Sequence, residues 1–63
     1  MKLRMKYEDG QVLRTDLKTF CRDNREDPSL CRRAKRLRPG EGFYEGGGAS
    51  PRVKISRVRA ARR

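Results

Sequence analysis

The densest group of charged side chains lies at residues 32–38, which read Arg-Arg-Ala-Lys-Arg-Leu-Arg and hold five cations in seven positions. A guanidinium group donates N–H bonds in a fixed plane and pairs with phosphate or guanine in a bidentate manner, whereas an ammonium acts as a point charge. No acidic residue interrupts the chain between Leu30 and Gly40. This stretch therefore offers the chemistry needed to contact a polyanion.

The flanking residues predict that this stretch belongs to a short helix. Asp27 is a favourable N-cap, and Pro28 at the first helical position has no amide that needs a partner. Pro39 disfavours the helical conformation of the residue before it, so we expect the helix to end near Leu37.

Apolar residues divide the predicted helix into a buried and an exposed side. Leu30, Ala34 and Leu37 recur within one sector of a helix with 3.6 residues per turn, and Cys31 lies at the edge of that sector. The remaining positions face outward and are polar or cationic. They are Ser29, Arg32, Arg33, Lys35 and Arg36.

A shorter helix is predicted ahead of this one, from Asp16 to about Asn24. Thr15 is its plausible N-cap, and Leu17, Phe20 and Cys21 form one apolar stripe. The outward positions include Lys18, Thr19 and Arg22. Residues 24–26 carry no apolar side chain and predict a turn between the two helices.

Strands are indicated at both ends of the chain by alternation of apolar and charged residues. In residues 2–7, Leu3, Met5 and Tyr7 fall on one face and the cations on the other, and Asp9-Gly10 then favours a hairpin turn before residues 12–14. Residues 42–45 and 52–56 predict a second hairpin around a glycine-rich loop, ending or bulging near Arg57.

The order of these elements predicts an α+β fold. It consists of an N-terminal β-hairpin, two short helices in a helix-turn-helix arrangement, a wing-like C-terminal β-hairpin and a basic tail. We expect one domain at residues 1–58 and a flexible tail at residues 59–63. Within the second hairpin, Phe43 and Tyr44 are expected to pack in the core or at its edge rather than to stack on bases.

Composition and charge restrict the classes of function. The chain has 63 residues, a formal net charge of +10 and only 33% hydrophobic residues, so its core is small and its expected partners are polyanions. No histidine, metal-ligand cluster or nucleophile paired with a base is present, so we expect no enzymatic activity, no cofactor and no metal.

The two cysteines, Cys21 and Cys31, each lie on or beside an apolar helix face. We expect them to be buried thiols, because a bridge between them, although geometrically possible, is uncommon in a cytosol. The sequence shows no signal-peptide pattern and no apolar run long enough to span a membrane, which predicts a cytoplasmic protein.

The segment LKTFCRDNREDPSL at residues 17–30 resembles the helix-turn-helix modules of phages and other mobile elements. In those modules an apolar-x-x-Phe-Cys-Arg stretch precedes the turn, and a small polar residue opens the second helix. The resemblance extends to about Leu37 and implies a winged-helix, DNA-binding transcription regulator from a phage or mobile element. Its second helix would enter the major groove, and the C-terminal hairpin would act as the wing.

In that arrangement Arg32 and Arg36 are the candidates for base or phosphate contact, and Ser29 contacts a phosphate near the helix N-terminus. Cations of the last hairpin reach the neighbouring backbone or minor groove. The full set of predicted nucleic-acid-binding residues is Thr19, Arg22, Ser29, Arg32, Arg33, Lys35, Arg36, Arg38, Arg52, Lys54 and Arg57.

Two alternatives remain open at this point. The chain is an RNA- or ribosome-binding protein, or it is a small phage-type effector that binds and inhibits a host protein such as RNA polymerase or a nuclease. A homodimer on two DNA half-sites is a further possibility. Nucleic-acid binding is favoured if Arg32, Arg36, Arg52 and Lys54 share one continuous face, and the effector is favoured if they are scattered.

Overall fold

Two β-hairpins flank a pair of helices along the chain. The computed structural model describes residues 1–59. Its elements are β1 (Lys2–Tyr7), β2 (Val12–Asp16), α1 (Leu17–Asp23), α2 (Pro28–Lys35), β3 (Gly42–Glu45) and β4 (Val53–Arg57). The predicted α+β fold with hairpins at both ends is confirmed. Ala60–Arg63, which form most of the predicted tail, lie outside the described residues.

The two hairpins form one antiparallel sheet with the strand order β2-β1-β4-β3. β1 is central, because it pairs with β2 on one side and with β4 on the other. Met5 lies opposite Leu13 in β2 and opposite Ile55 in β4. The hairpins were predicted from local alternation, which does not reveal that β1 and β4 pair across the length of the chain.

Glycine makes both hairpin connections possible. Gly10 has φ of 94° and donates its N–H to the carbonyl of Tyr7 at 2.9 Å, as expected for the predicted Asp-Gly turn. Gly46 has φ of 84°, and a Cβ added there would collide with the carbonyl oxygen of Pro51. A side chain at either position would therefore strain the turn.

Both helices pack on one face of the sheet and form the core there. The buried residues come from strands, helices and the segment after α2, namely Leu3, Phe20, Leu30, Ala34, Leu37 and Ile55. Half-buried apolar residues surround them, namely Met5, Leu17, Cys21, Phe43 and Val53. The residues predicted to face inward on the two helices and on β1 and β4 thus contribute to or border this core, apart from Tyr7 and Cys31, which are half-buried.

Asp16, rather than the predicted Thr15, is the N-cap of α1. Its carboxylate accepts the N–H of Thr19 at 2.8 Å. That hydrogen bond lowers the pKa of Asp16 below its usual value, and the charge of Lys2 contributes in the same direction. At the other end, the side-chain amide of Asn24 donates to the carbonyl of Phe20 at 2.8 Å.

α2 begins at Asp27-Pro28, as predicted, but it ends at Lys35 rather than near Leu37. Leu37 is nevertheless buried, and its carbonyl accepts a hydrogen bond from the guanidinium of Arg57 at 3.0 Å. Arg57 thus stabilises the chain where it leaves the helix. Helix periodicity predicted the burial of Leu37 correctly although the residue lies beyond the last helical turn.

Cys21 and Cys31 are joined by a disulfide that links α1 to α2, with their Cα atoms 5.0 Å apart. The expectation of two free thiols was therefore wrong. Periodicity places each cysteine at the apolar side of its own helix. The periodicity of each helix does not predict that the two helices approach each other at these positions.

Within residues 1–59, neither helix has the length and apolar character required to cross a membrane.

Candidate nucleic-acid interface

One face of the sheet carries the helices, and no helix among the described residues packs on the other. Residues directly opposite each other in an antiparallel pair share a face, so the register identifies which side chains project from the uncovered side. We call this face the sheet surface. It is defined by Lys2, Arg4, Lys6, Arg14, Tyr44, Arg52, Lys54 and Ser56, and Val12 and Asp16 of β2 lie at its border.

Cations stand directly opposite cations on the sheet surface. Arg4 in β1 is paired in register with Arg14 in β2, and Lys6 in β1 is paired with Lys54 in β4. All four side chains are exposed. Like charges at directly opposed positions destabilise a sheet, because the Cβ atoms are only about 5 Å apart. The sheet surface is therefore strongly positive at some cost to folding.

The acidic residue nearest to these pairs in the strands is Asp16, which lies opposite Lys2 at one end of β1. Its carboxylate already accepts the N–H of Thr19 as the N-cap of α1. Neither of the two central cation pairs has an ion-pair partner among the contacts of residues 1–59. Their positive charge is thus available to a ligand.

Tyr44 is the aromatic side chain of the sheet surface. It lies opposite Lys54 and is 56% exposed. The guanidinium carbon of Arg52 lies 4.5 Å from the ring centroid, and the ammonium nitrogen of Lys54 lies 5.7 Å from it. The expectation that Tyr44 packs in the core or at its edge was therefore wrong. The same expectation is confirmed for Phe43, which packs against the core on the opposite face.

A second basic area lies on the outer side of α2. We call it the helix surface and define it by Ser29, Arg32, Lys35 and Arg36, all of which are exposed. The hydroxyl of Ser29 donates to the carboxylate of Asp27 at 2.6 Å, and this bond lowers the pKa of Asp27. A carboxylate so close to Ser29 weakens its suitability as a phosphate contact.

Arg33 differs from the other cations of α2. Its guanidinium donates to the carboxylate of Glu45 at 3.0 Å and lies 4.2 Å from the centroid of the Phe43 ring. These contacts fasten α2 to β3. The structure thus gives Arg33 a role in the fold that its position in a cationic run did not reveal.

The remaining predicted residues lie apart from both surfaces. Arg22 is near Asp23, at 3.9 Å, and both side chains are largely exposed. Thr19 is half-buried and its amide belongs to the cap of α1. Arg38 is exposed in the turn after α2, where its backbone amide donates to Glu41. The guanidinium of Arg57 donates to the carbonyl of Leu37.

The structure separates the predicted recognition helix from the cations of the predicted wing. Arg32 and Arg36 lie on the outer side of the helix layer, whereas Arg52 and Lys54 lie on the far side of the sheet. These four residues therefore do not form one continuous face. A single straight stretch of duplex therefore cannot contact α2 and these cations of the last hairpin at the same time, because they lie on opposite sides of the domain.

Six residues of the sheet surface were absent from the predicted site, namely Lys2, Arg4, Lys6, Arg14, Tyr44 and Ser56. Alternation did predict that the cations of β1 share a face. The signal that would have singled them out is that each outward position of β1 is cationic. Its importance becomes evident once β1 is known to be the central strand.

Comparison of the chain with protein-family models, with curated proteins and with solved structures found no match.

Proposed function

We propose that this chain is a small DNA-binding protein whose phosphate-contacting surface is the sheet surface. The observation that carries the proposal is the pair of like-charged cross-strand contacts, Arg4 with Arg14 and Lys6 with Lys54, on an uncovered face. A row of phosphates would relieve the repulsion within both pairs and release the counterions condensed on the nucleic acid.

The sheet surface is better suited to this role than the helix surface. It supplies six cations, namely Lys2, Arg4, Lys6, Arg14, Arg52 and Lys54. On α2, Arg33 is engaged by Glu45 and Ser29 is engaged by Asp27. Arg32, Lys35 and Arg36 remain exposed there and provide fewer phosphate contacts. The proposal therefore retains DNA as the partner but moves the contact from the predicted recognition helix to the sheet.

Salt titration of DNA binding by two matched variants tests this proposal. The sheet variant replaces Arg4, Arg14 and Lys54 with glutamine, and the helix variant replaces Arg32, Arg36 and Lys35 with glutamine. Each variant removes two guanidinium groups and one ammonium group from exposed positions, so the net charge changes equally.

We expect the sheet variant to reduce the slope of log affinity against log salt by about 3 on duplex DNA, and the helix variant to reduce it by less than about 1. A loss confined to the helix variant would favour the helix-turn-helix mode and overturn the sheet proposal. An absence of binding by the unaltered chain at low salt would reject nucleic-acid binding altogether. Competition with a structured RNA, expected to be weaker, distinguishes the RNA- or ribosome-binding alternative.

A second candidate function is favoured by the separation of the two basic surfaces. Arg32 and Lys54 lie on opposite sides of the domain, so one surface is free to contact an acidic host protein while the other faces away. The protein would then act as an inhibitory effector. The test is a pull-down from host lysate treated with nuclease. The function is supported if a host RNA polymerase or nuclease is still captured after this treatment and if only one of the two triple variants fails to capture it. Loss of the captured protein on nuclease treatment would reject it.

The proposal includes a cytoplasmic location, because the partner is DNA, and a regulatory role in a phage or mobile element, which rests on the resemblance of the helical segment to helix-turn-helix modules. Disulfides are rare in the cytoplasm, so this location requires that the fold persist with Cys21 and Cys31 as thiols. A homodimer on two half-sites remains part of the proposal and is tested by sedimentation of the protein with and without DNA.

A further inference from the structure

An exposed tyrosine stands at the edge of the sheet surface, surrounded by cations. Tyr44 lies on the edge strand β3, and across the sheet from it come Lys54 and then Lys6. The side chain is 56% exposed, so one large aromatic ring projects from a face that carries six cations. Such a ring attracts the neighbouring cations and also offers a surface on which a nucleobase can stack.

The ring is already in contact with a planar cation. The guanidinium carbon of Arg52 lies 4.5 Å from the centroid of Tyr44, which is within stacking distance. Guanidinium planes and aromatic rings are both surfaces on which unpaired bases stack. Tyr44 and Arg52 therefore form a platform ready to accept a base, with Lys54 beside it to contact the adjoining phosphate.

Small residues leave room next to this platform. Gly42 and Ser56 lie opposite each other in the neighbouring row of the sheet surface. A Cβ added at Gly42 would lie 2.8 Å from the Cβ of Ser56 and 2.8 Å from the carbonyl oxygen of Ile55. Glycine is required at that position by the close approach of β3 to β4. A concavity beside the platform is lined by the cations Arg4, Lys6, Arg52 and Lys54, by Tyr44 and Ser56, and by one carboxylate, that of Glu8.

The width of the sheet distinguishes a single strand from a duplex. Strands in a sheet are spaced by about 4.8 Å, so the outer strands of this four-stranded sheet are about 14 Å apart. The major groove is about 12 Å wide and does not admit such a face. A duplex would meet the sheet surface with phosphates alone, whereas a single strand can place both phosphates and bases on it.

We propose that Tyr44 and Arg52 form a base-stacking site and that the preferred ligand of the sheet surface is single-stranded DNA. This inference rests on the proposed DNA-binding function and specifies its substrate. The site contacts ring faces and phosphates. The hydroxyl of Ser56 points to the carbonyl of Arg4 at 3.4 Å, and no other Ser, Thr, Asn or Gln side chain in the described strands belongs to the sheet surface. Ring faces and phosphates are common to DNA and RNA, so the choice of DNA over RNA rests on the proposed function.

The test measures binding of a labelled mixed-sequence single strand, of the same sequence as a duplex, and of the corresponding RNA, by fluorescence anisotropy at one salt concentration. The variants are Tyr44→Leu, which removes the ring but keeps an apolar side chain, and Tyr44→Phe, which keeps the ring and removes only the hydroxyl. Tyr44 is exposed, so both variants are expected to fold, and the amide spectrum of each verifies this.

We expect the unaltered chain to bind the single strand more tightly than the duplex, and the single-stranded RNA to bind no more than about 10-fold more tightly than the DNA. Equal or tighter binding of the duplex would overturn the preference for a single strand. Tyr44→Leu should weaken single-strand binding by about 10-fold and leave duplex binding unchanged, and Tyr44→Phe should retain the unaltered affinity. Equal single-strand binding by Tyr44→Leu and the unaltered chain would overturn the stacking site while leaving the proposed function intact. RNA binding more than 10-fold tighter than DNA would overturn the choice of DNA. Failure of the unaltered chain to bind either DNA would reject the proposed function and this inference together.

Discussion

Arg4 on the central strand of the sheet lies directly opposite Arg14 on the edge strand, on the face that no described helix covers. On its other side Arg4 faces Ser56, which carries no charge. Neither of the two guanidinium groups forms an ion pair among residues 1–59. This energetically unfavourable pair on an exposed face is the observation on which the proposal of an anionic partner rests.

Replacing Arg14 with glutamate should stabilise the fold and weaken DNA binding. Arg14→Glu places an anion opposite Arg4 and converts a repulsive cross-strand pair into an attractive one, which is worth about 0.5–1 kcal/mol. Urea denaturation measures the gain in unfolding free energy. Arg25→Glu in the exposed turn between the helices is the control for the change in net charge. A larger stabilisation in the control would show that the effect arises from overall charge.

Reduction of the disulfide should destabilise the protein without abolishing the sheet. The bond between Cys21 and Cys31 joins residues ten positions apart in the chain. Loss of such a bond lowers the free energy of unfolding by about 3 kcal/mol, because the unfolded chain gains entropy. Thermal unfolding of the oxidised protein and of the Cys21→Ser/Cys31→Ser variant provides the comparison. Equal stability of the two forms would show that helix packing alone holds α1 against α2.

Arg33 and Arg32 should respond differently to the same substitution. Arg33→Gln removes the contacts to Glu45 and to the Phe43 ring, both of them partly exposed, and should lower the unfolding free energy by about 1 kcal/mol. Arg32 is exposed, so Arg32→Gln should change stability by less than about 0.5 kcal/mol. Urea denaturation of the two variants compares them. Equal effects would contradict the structural role of Arg33.

Stability should decline in acid partly because of Asp16. Its pKa is lowered in the folded state by the amide of Thr19, so its contribution is complete above the unfolded pKa, near pH 4, and is lost as the pH falls through the lower folded value. Asp16→Asn retains an N-cap that does not titrate and should flatten the loss of stability below about pH 4. Thermal denaturation over that range measures the change, and Asp23→Asn, an exposed carboxylate, is the control.

The local elements of this fold were accessible from the sequence, because their signals are local. Alternation in β1, the Asp9-Gly10 turn and the Asp27-Pro28 helix start each depend on residues within a few positions of one another. The register of β1 with β4 depends on residues about fifty positions apart, such as Met5 and Ile55. No periodicity in either strand specifies that partner.

The candidate site was harder to predict for the same reason. The run at residues 32–38 is conspicuous because its cations are adjacent in the chain. The cations of the sheet surface come from three strands and meet only when the sheet forms, as Lys6 and Lys54 do. The contacts of Arg33 and Arg57 with distant groups likewise distinguish them from neighbours of the same residue type.

Amide chemical-shift mapping on addition of a DNA oligonucleotide tests the location of the interface most directly. We expect the largest shifts at the amides of Arg4, Lys6, Tyr44 and Lys54 on the sheet surface, with small changes along α2. The largest shifts at Arg32, Lys35 and Arg36, with an unchanged sheet, would contradict a DNA-binding surface on the uncovered face.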